Sequence, residues 1–193
     1  MIEDAIAGKV DVAKAAEEYT KNRKNEAQMQ SVWTEVSQAM KAKDWDKATA
    51  KLAEMEKLLP ADDRPRLDIT RFKILSGKQD YAAAHKLAAQ ISEAHPNDAE
   101  LQNEVAWELA TTEPVESRDL ALAATIGTRA NEAAKGKSAP ILDTLARVLF
   151  MQGKKEQAIE LQEKAVNLAE DPEKTYMQKS LDSYKKGELP KAD

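Results

Sequence analysis

The chain contains no cysteine. That excludes a disulfide, a thiolate zinc site and thiol catalysis within these 193 residues, and leaves the redox compartment open. Histidine is nearly absent as well. His85 and His95 lie ten residues apart, which on a helix separates them by ~80° around the axis and nearly three turns along it, so they cannot share a metal. The six glycines are isolated, and Ser76-Gly77-Lys78 has no phosphate loop around it. Aromatics make up only 5% of the chain, and no run of alternating β-branched residues is long enough for a sheet. No stretch approaches the ~20 apolar residues of a membrane span, and residues 1–20 lack the apolar core of a signal peptide. A net charge of −5 and a pI near 5.3 argue against a nucleic-acid surface. The richest basic stretch, Lys21-Asn22-Arg23-Lys24, reads as a solvated turn.

What is present is alanine, leucine, lysine and glutamate at helical spacing. Residues 141–171 show the pattern best. Leu142, Leu145, Ala146 and Leu149 share one face, Gln152-Gly153-Lys154 breaks it, and Ala158, Leu161, Ala165 and Leu168 resume. Two such short amphipathic helices cannot bury their apolar faces alone, so the hairpin needs copies beside it. A small signature marks those copies: an acid, a large apolar residue, two free positions, then alanine. It occurs at Asp44-Trp45…Ala48, Asp80-Tyr81…Ala84 and Asp119-Leu120…Ala123, with a worn form at Lys154-Lys155…Ala158. The alanines are 36, 39 and 35 residues apart. The acid is placed to cap a helix N-terminus, the large residue to fill the gap between paired helices, and the alanine to let backbones approach. Pro60 and Pro96 follow Ala48 and Ala84 by twelve residues and are placed to end second helices. Met55, Ile91, Ala130 and Ala165 fall seven after each alanine.

The ~34-residue period and this signature resemble the tetratricopeptide repeat (TPR) family over roughly residues 30–186. A narrower likeness lies in RFKILSGKQDYAAAHKLAAQ at 71–90, AWELATTEPVESRDLALA at 106–123 and ILDTLARVLFMQGKKEQAIELQEKAVNLA at 141–169. These segments resemble the C-terminal TPR region of bacterial thioredoxin-like (TlpA/redoxin-type) proteins. The resemblance implies an all-α fold, a right-handed superhelical stack of helical hairpins. It also implies a parent with thiol–disulfide chemistry, often exported, in which a thioredoxin domain precedes the repeats. This chain has no Cys-x-x-Cys pair to carry that chemistry.

The expected organisation runs as follows. Residues 1–29 form N-terminal capping helices or a partial repeat: a helical turn over 2–7, Gly8, then Asp11-Val12…Ala15 as a fifth trace of the signature, so that the chain opens in mid-repeat. Residues 30–171 hold four repeats, at about 30–62, 63–97, 98–138 and 139–171. Their packing residues include Trp33, Val36 and Met40, then Leu67, Phe72 and Leu75, then Leu101, Val105, Ala106 and Leu109. Asn97 and Glu100 have capping-box spacing at the third repeat, and Ser138 with Pro140 opens the fourth. Thr111 to Arg118 lengthens one turn, and should project from an edge of the stack. Residues 172–187 form a capping helix with Met177, Leu181 and Tyr184 on one stripe, and 188–193 a tail.

No catalytic motif and no cofactor motif emerges, so the chain reads as a non-catalytic protein–protein interaction scaffold. First helices of TPR hairpins line the concave side of the superhelix. That places Asn103, Trp107 and Ala110 of the third repeat beside Asp143, Arg147 and Phe150 of the fourth, both triplets at i, i+4, i+7 spacing. Asn103, Trp107, Asp143, Arg147 and Phe150 form the expected partner-binding patch for a protein or peptide. The alternative is that Trp107 and Phe150 fill space between hairpins. A second functional reading is a regulatory or oligomerisation region of a thioredoxin-like oxidoreductase, with a homo-oligomer among its partners. The compartment is periplasmic on that reading and cytoplasmic otherwise.

Overall fold

A computed structural model describes residues 12–190; the expected turn over 2–7, the Asp11 cap and the last three residues of the tail lie outside them. Among the described residues there are nine α-helices, two 3₁₀ segments and no strand. The helices are α1 (Val12–Lys41), α2 (Trp45–Leu58), α3 (Asp68–Gly77), α4 (Tyr81–Ala94), α5 (Ala99–Thr111), α6 (Leu120–Ala133), α7 (Ala139–Met151), α8 (Lys155–Leu168) and α9 (Glu173–Lys186). None is long and apolar enough to cross a membrane. The chain divides into two compact units between Lys78 and Gln79, within the second expected repeat.

In the first unit α1 packs on α2, and α2 on α3. α1 is one continuous helix of 30 residues, so the expected boundary at 29/30 falls inside it and Lys21 to Lys24 are helical, not a turn. The reason is local: no glycine or proline interrupts the chain between Gly8 and Pro60. Packing begins only at Met29. From there Val32 and Ala39 join Leu52, Met55, Leu67 and Ile74 in one cluster, with Met40, Leu58 and Leu59 against it. Trp33, expected in this core, is 43% exposed. The buried stripe runs through Val32, Val36 and Ala39 and leaves Trp33 on its flank. Trp45 is half-buried and lies on the backbone of Gly77; a β-carbon there would sit 2.4 Å from an indole carbon. Glycine at this position serves a close approach of side chain to backbone.

In the second unit α5 packs on α6, α6 on α7, α7 on α8 and α8 on α9. Contacts one step further join α4 to α6 and α5 to α7.

The signature alanines and aspartates have like roles in both units. Ala48, Ala84, Ala123 and Ala158 are each fully buried, as are Ala130 and Ala165, with Met55 and Ile91 nearly so. The carboxylates of Asp44, Asp80 and Asp119 cap their helices by accepting the N–H of Lys47, Ala83 and Leu122. Lys154 caps α8 without a side-chain bond, since an ammonium cannot accept one. The residue two before the large one has positive φ at Lys43 (57°), Gln79 (63°) and Gly153 (79°). At α5 the cap is Asp98, bonding Leu101 N at 3.0 Å, and not the expected Asn97.

Four contacts of differing chemistry join residues 30–32 apart. Asp46 receives Lys78, 32 residues on; the Tyr81 hydroxyl donates to the Glu113 carbonyl, again 32 on. Gln152 donates back to the Leu120 carbonyl at a separation of 32, and Lys155 to the Lys185 carbonyl at 30. The long turn 112–119 is tied down by Arg118, which donates to the Thr112 carbonyl and pairs with Glu113, while Val115 at its tip is exposed.

Candidate functional site

Asn103 and Trp107 stand one turn apart on α5; Asp143 and Arg147 stand one turn apart on α7, the helix that packs against α5. The structure therefore brings the four expected residues onto packed helices. The Arg147 guanidinium lies over the Trp107 ring, 5.4 Å from its centroid, a cation–π arrangement. Phe150, one turn further on α7, stacks on Tyr184 of α9 with ring centroids 4.6 Å apart and planes inclined by 26°. Phe150 thus fills space between helices, the alternative recognised for it above.

The expected open, charged patch requires correction. Asp143 is 9% exposed and Arg147 6%, while Asn103, Trp107 and Phe150 are half-buried. Asp143 and Phe150 are covered from α8 and α9, and Arg147 lies against the Trp107 ring. Gln162 of α8, fully buried, donates from Nε2 to Asp143 Oδ1 at 2.5 Å and to the Met177 carbonyl of α9 at 3.1 Å. Burial raises the Asp143 pKa above its ordinary value, opposed by the Gln162 hydrogen bond and the Arg147 charge. Burial also raises that of Tyr184, with Asp143 adding to the rise.

Sequence reasoning missed Gln162. It expected Leu161 and Leu168 on the packing stripe, but Leu168 is 48% exposed and the stripe instead runs through Ala158, Gln162, Ala165, Val166 and Ala169. The available signal was spacing, since Gln162 falls four residues after the signature alanine, on its face. Polarity hid it.

Several polar atoms around this cluster are buried without a hydrogen-bond partner: Asn103 Oδ1, Arg147 Nε and Gln162 Oε1. A second buried network, by contrast, is well bonded. Gln102 donates to the carbonyls of Ser92 and His95, the Ser92 hydroxyl donates to Gln102 Oε1, and Arg129 donates to that hydroxyl at 2.8 Å. This network ties the end of α4 to α5 and α6 and has a structural purpose. Among the described residues no group of three His, Asp or Glu side chains could hold a metal. His85 Nδ1 lies 3.9 Å from an Asp119 carboxylate oxygen.

No protein-family model matches the chain, and comparison with curated proteins gave no match.

Proposed function

We propose that this chain is a TPR-type helical-repeat scaffold, non-catalytic, that holds a peptide or protein segment on the face built by α5 and α7. The observation that carries the repeat reading is that a residue at or next to the large position of each signature bonds one 30–32 residues further on, by differing chemistry: Asp46 with Lys78, Tyr81 with Glu113, Leu120 with Gln152 and Lys155 with Lys185. Chance helical packing has no reason to repeat a spacing in phase with a sequence signature. The buried alanines and the capping aspartates support the same reading.

The α5/α7 face is favoured because two of its polar atoms, Asn103 Oδ1 and Arg147 Nε, have no partner within the fold. The Ser92–Gln102–Arg129 network is bonded internally, whereas Asn103 and Arg147 keep unmet capacity beside a half-buried tryptophan. Buried polar atoms left unmet are costly to a fold and are retained where they act.

The test is a peptide array probed with the wild-type protein, Asn103→Ala and Trp107→Ala, with thermal melting of all three. Peptides retained by the wild type and lost by both variants, at unchanged melting of Asn103→Ala, are the expected result. Retention of the same peptides by both folded variants moves the site elsewhere. Insulin reduction by the chain should not exceed the blank; turnover lost on a point substitution would overturn the non-catalytic reading.

A further inference from the structure

α1 is 30 residues long, whereas α2, the helix that packs on it, has 14. Residues 13–28 of α1 stand outside the core, and all but Ala15 are exposed. About four turns of helix thus gain no burial, although helices without tertiary contact are marginal in water. Two exposed large hydrophobic side chains lie on this helix, Tyr19 at 66% and Trp33 at 43%. They belong to one seam. Ala16, Tyr19, Arg23, Glu26, Gln30 and Trp33 follow one another in alternating steps of three and four, and all six are exposed. That is the heptad spacing of a two-helix contact. The seam runs about a third of a turn around α1 from the stripe of Val32, Val36 and Ala39, so a second helix can lie on it beside α2.

Laid antiparallel against its own copy, the seam matches itself in one register. Ala16 meets Trp33, small against large; Tyr19 meets Gln30; Arg23 meets Glu26. All three pairs are centred on the same point of the helix, so each occurs twice about a single two-fold axis. Thr20 and Ala27 beside the seam are small and uncharged, which lets the helices close up. Neither Arg23 nor Glu26 makes an ion pair among the described residues, so both charges are available. A parallel pair would instead set arginine against arginine and glutamate against glutamate. We infer that the exposed seam of α1 is a self-association surface, occupied by α1 of a second copy of this chain in antiparallel orientation. The surface shares no residue with the α5/α7 face. The paired seam is ~27 Å long, a contact at the small end of stable interfaces, so half-association is expected at about 10–100 µM.

Sedimentation velocity of the full chain, from about 1 to about 500 µM, should show a monomer–dimer equilibrium within that range. Arg23→Glu alone sets glutamate against glutamate, and Glu26→Arg alone sets arginine against arginine, so each should weaken the dimer about tenfold or more. A mixture of the two variants should recover a heterodimer, because each acid then meets a base. Both positions are exposed, so thermal melting at low concentration should find both variants folded like the wild type. Because the chain has no native cysteine, Tyr19→Cys and Gln30→Cys report the register directly and need neither charge variant. Oxidised as a mixture, they should give mainly the mixed disulfide. Mainly Tyr19→Cys homodimer would mean parallel pairing and overturn the inference. A chain that stays monomeric throughout the range overturns it too, as does a dimer that both charge reversals leave intact. The peptide array that tests the α5/α7 face is untouched by any of these results.

Discussion

Up to Lys78 the interior is apolar, with Thr70 the one buried polar side chain among the described residues of that unit. From Gln79 onward Ser92, Gln102, Asp143, Thr144, Arg147, Gln162 and Ser180 are buried, and every unpartnered buried side-chain atom found among the described residues lies there. Both units use the same caps and the same buried alanines, so local helix chemistry does not account for the difference. Apolar filling is sufficient to pack these helices, as the first unit shows. Polar atoms in the second are therefore additions to the packing, and those left unbonded mark where the fold has given up stability. Asn103, Asn131, Arg147, Gln152 and Gln162 each carry such an atom, whereas Ser92 and Gln102 do not.

The largest effect is expected at Gln162. Gln162→Leu leaves the buried Asp143 carboxyl and the Met177 carbonyl without their donor, and should cost about 3 kcal/mol or more in urea unfolding. Pairing it with Asp143→Leu should recover most of the loss, because an apolar pair replaces a polar one. A loss below about 1 kcal/mol would mean that the second unit tolerates a dry polar core as easily as the first tolerates an apolar one. The pH dependence has a defined sign. The folded pKa of Asp143 is raised above 3.8, so the folded chain takes up the proton first. Stability of the wild type relative to Asp143→Asn should therefore rise as pH falls through the folded pKa, and level off below the unfolded value.

Gly77→Ala probes the apolar unit. The new β-carbon would meet the Trp45 ring at 2.4–2.6 Å, so a cost of about 1–3 kcal/mol is expected despite alanine's better helix propensity. Trp45→Leu in the same chain should relieve that cost. Destabilisation by Gly77→Ala that persists unchanged with Trp45→Leu would show that the indole is not its cause.

The shared features should respond alike on both sides. Asp44→Ala, Asp80→Ala and Asp119→Ala each remove one capping bond and should cost about 1 kcal/mol by thermal or chemical unfolding. A much larger effect at one cap would show that its unit depends on the cap for more than the helix end. The smallest effect is expected at Gly127→Ala, where the nearest atom is a terminal methyl of Leu145 at 3.3 Å. A methyl can yield by a few tenths of an ångström, and the gain of about 1 kcal/mol in helix propensity offsets the strain. Calorimetry should find a melting temperature within a few degrees of wild type; a collapse of the unit would show that α6 and α7 are locked at that point.

Features that depend on spacing and local chemistry were legible in the amino-acid sequence. An all-helical chain, the turns before Trp45, Tyr81 and Lys155, the capping aspartates, the buried alanines and the stop at Gly187 follow from periodicity, cap preference and breakers acting over a few residues. Even the pairing of Asn103 and Trp107 with Asp143 and Arg147 on packed helices was legible as a phase relation. What each face meets depends on how the helices pack. Trp33 and Leu168 are apolar and exposed, and Gln162, Asp143 and Arg147 are polar and buried. Hydrophobicity along one helix gives the direction of its stripe but not its neighbours. Beside Asp143 and Phe150, α7 meets α8 and α9, which arrive with a glutamine amide, a main-chain carbonyl and a tyrosine ring. Burial of a charge is settled by such partners, which lie 19 residues and more away in the chain and leave no local trace.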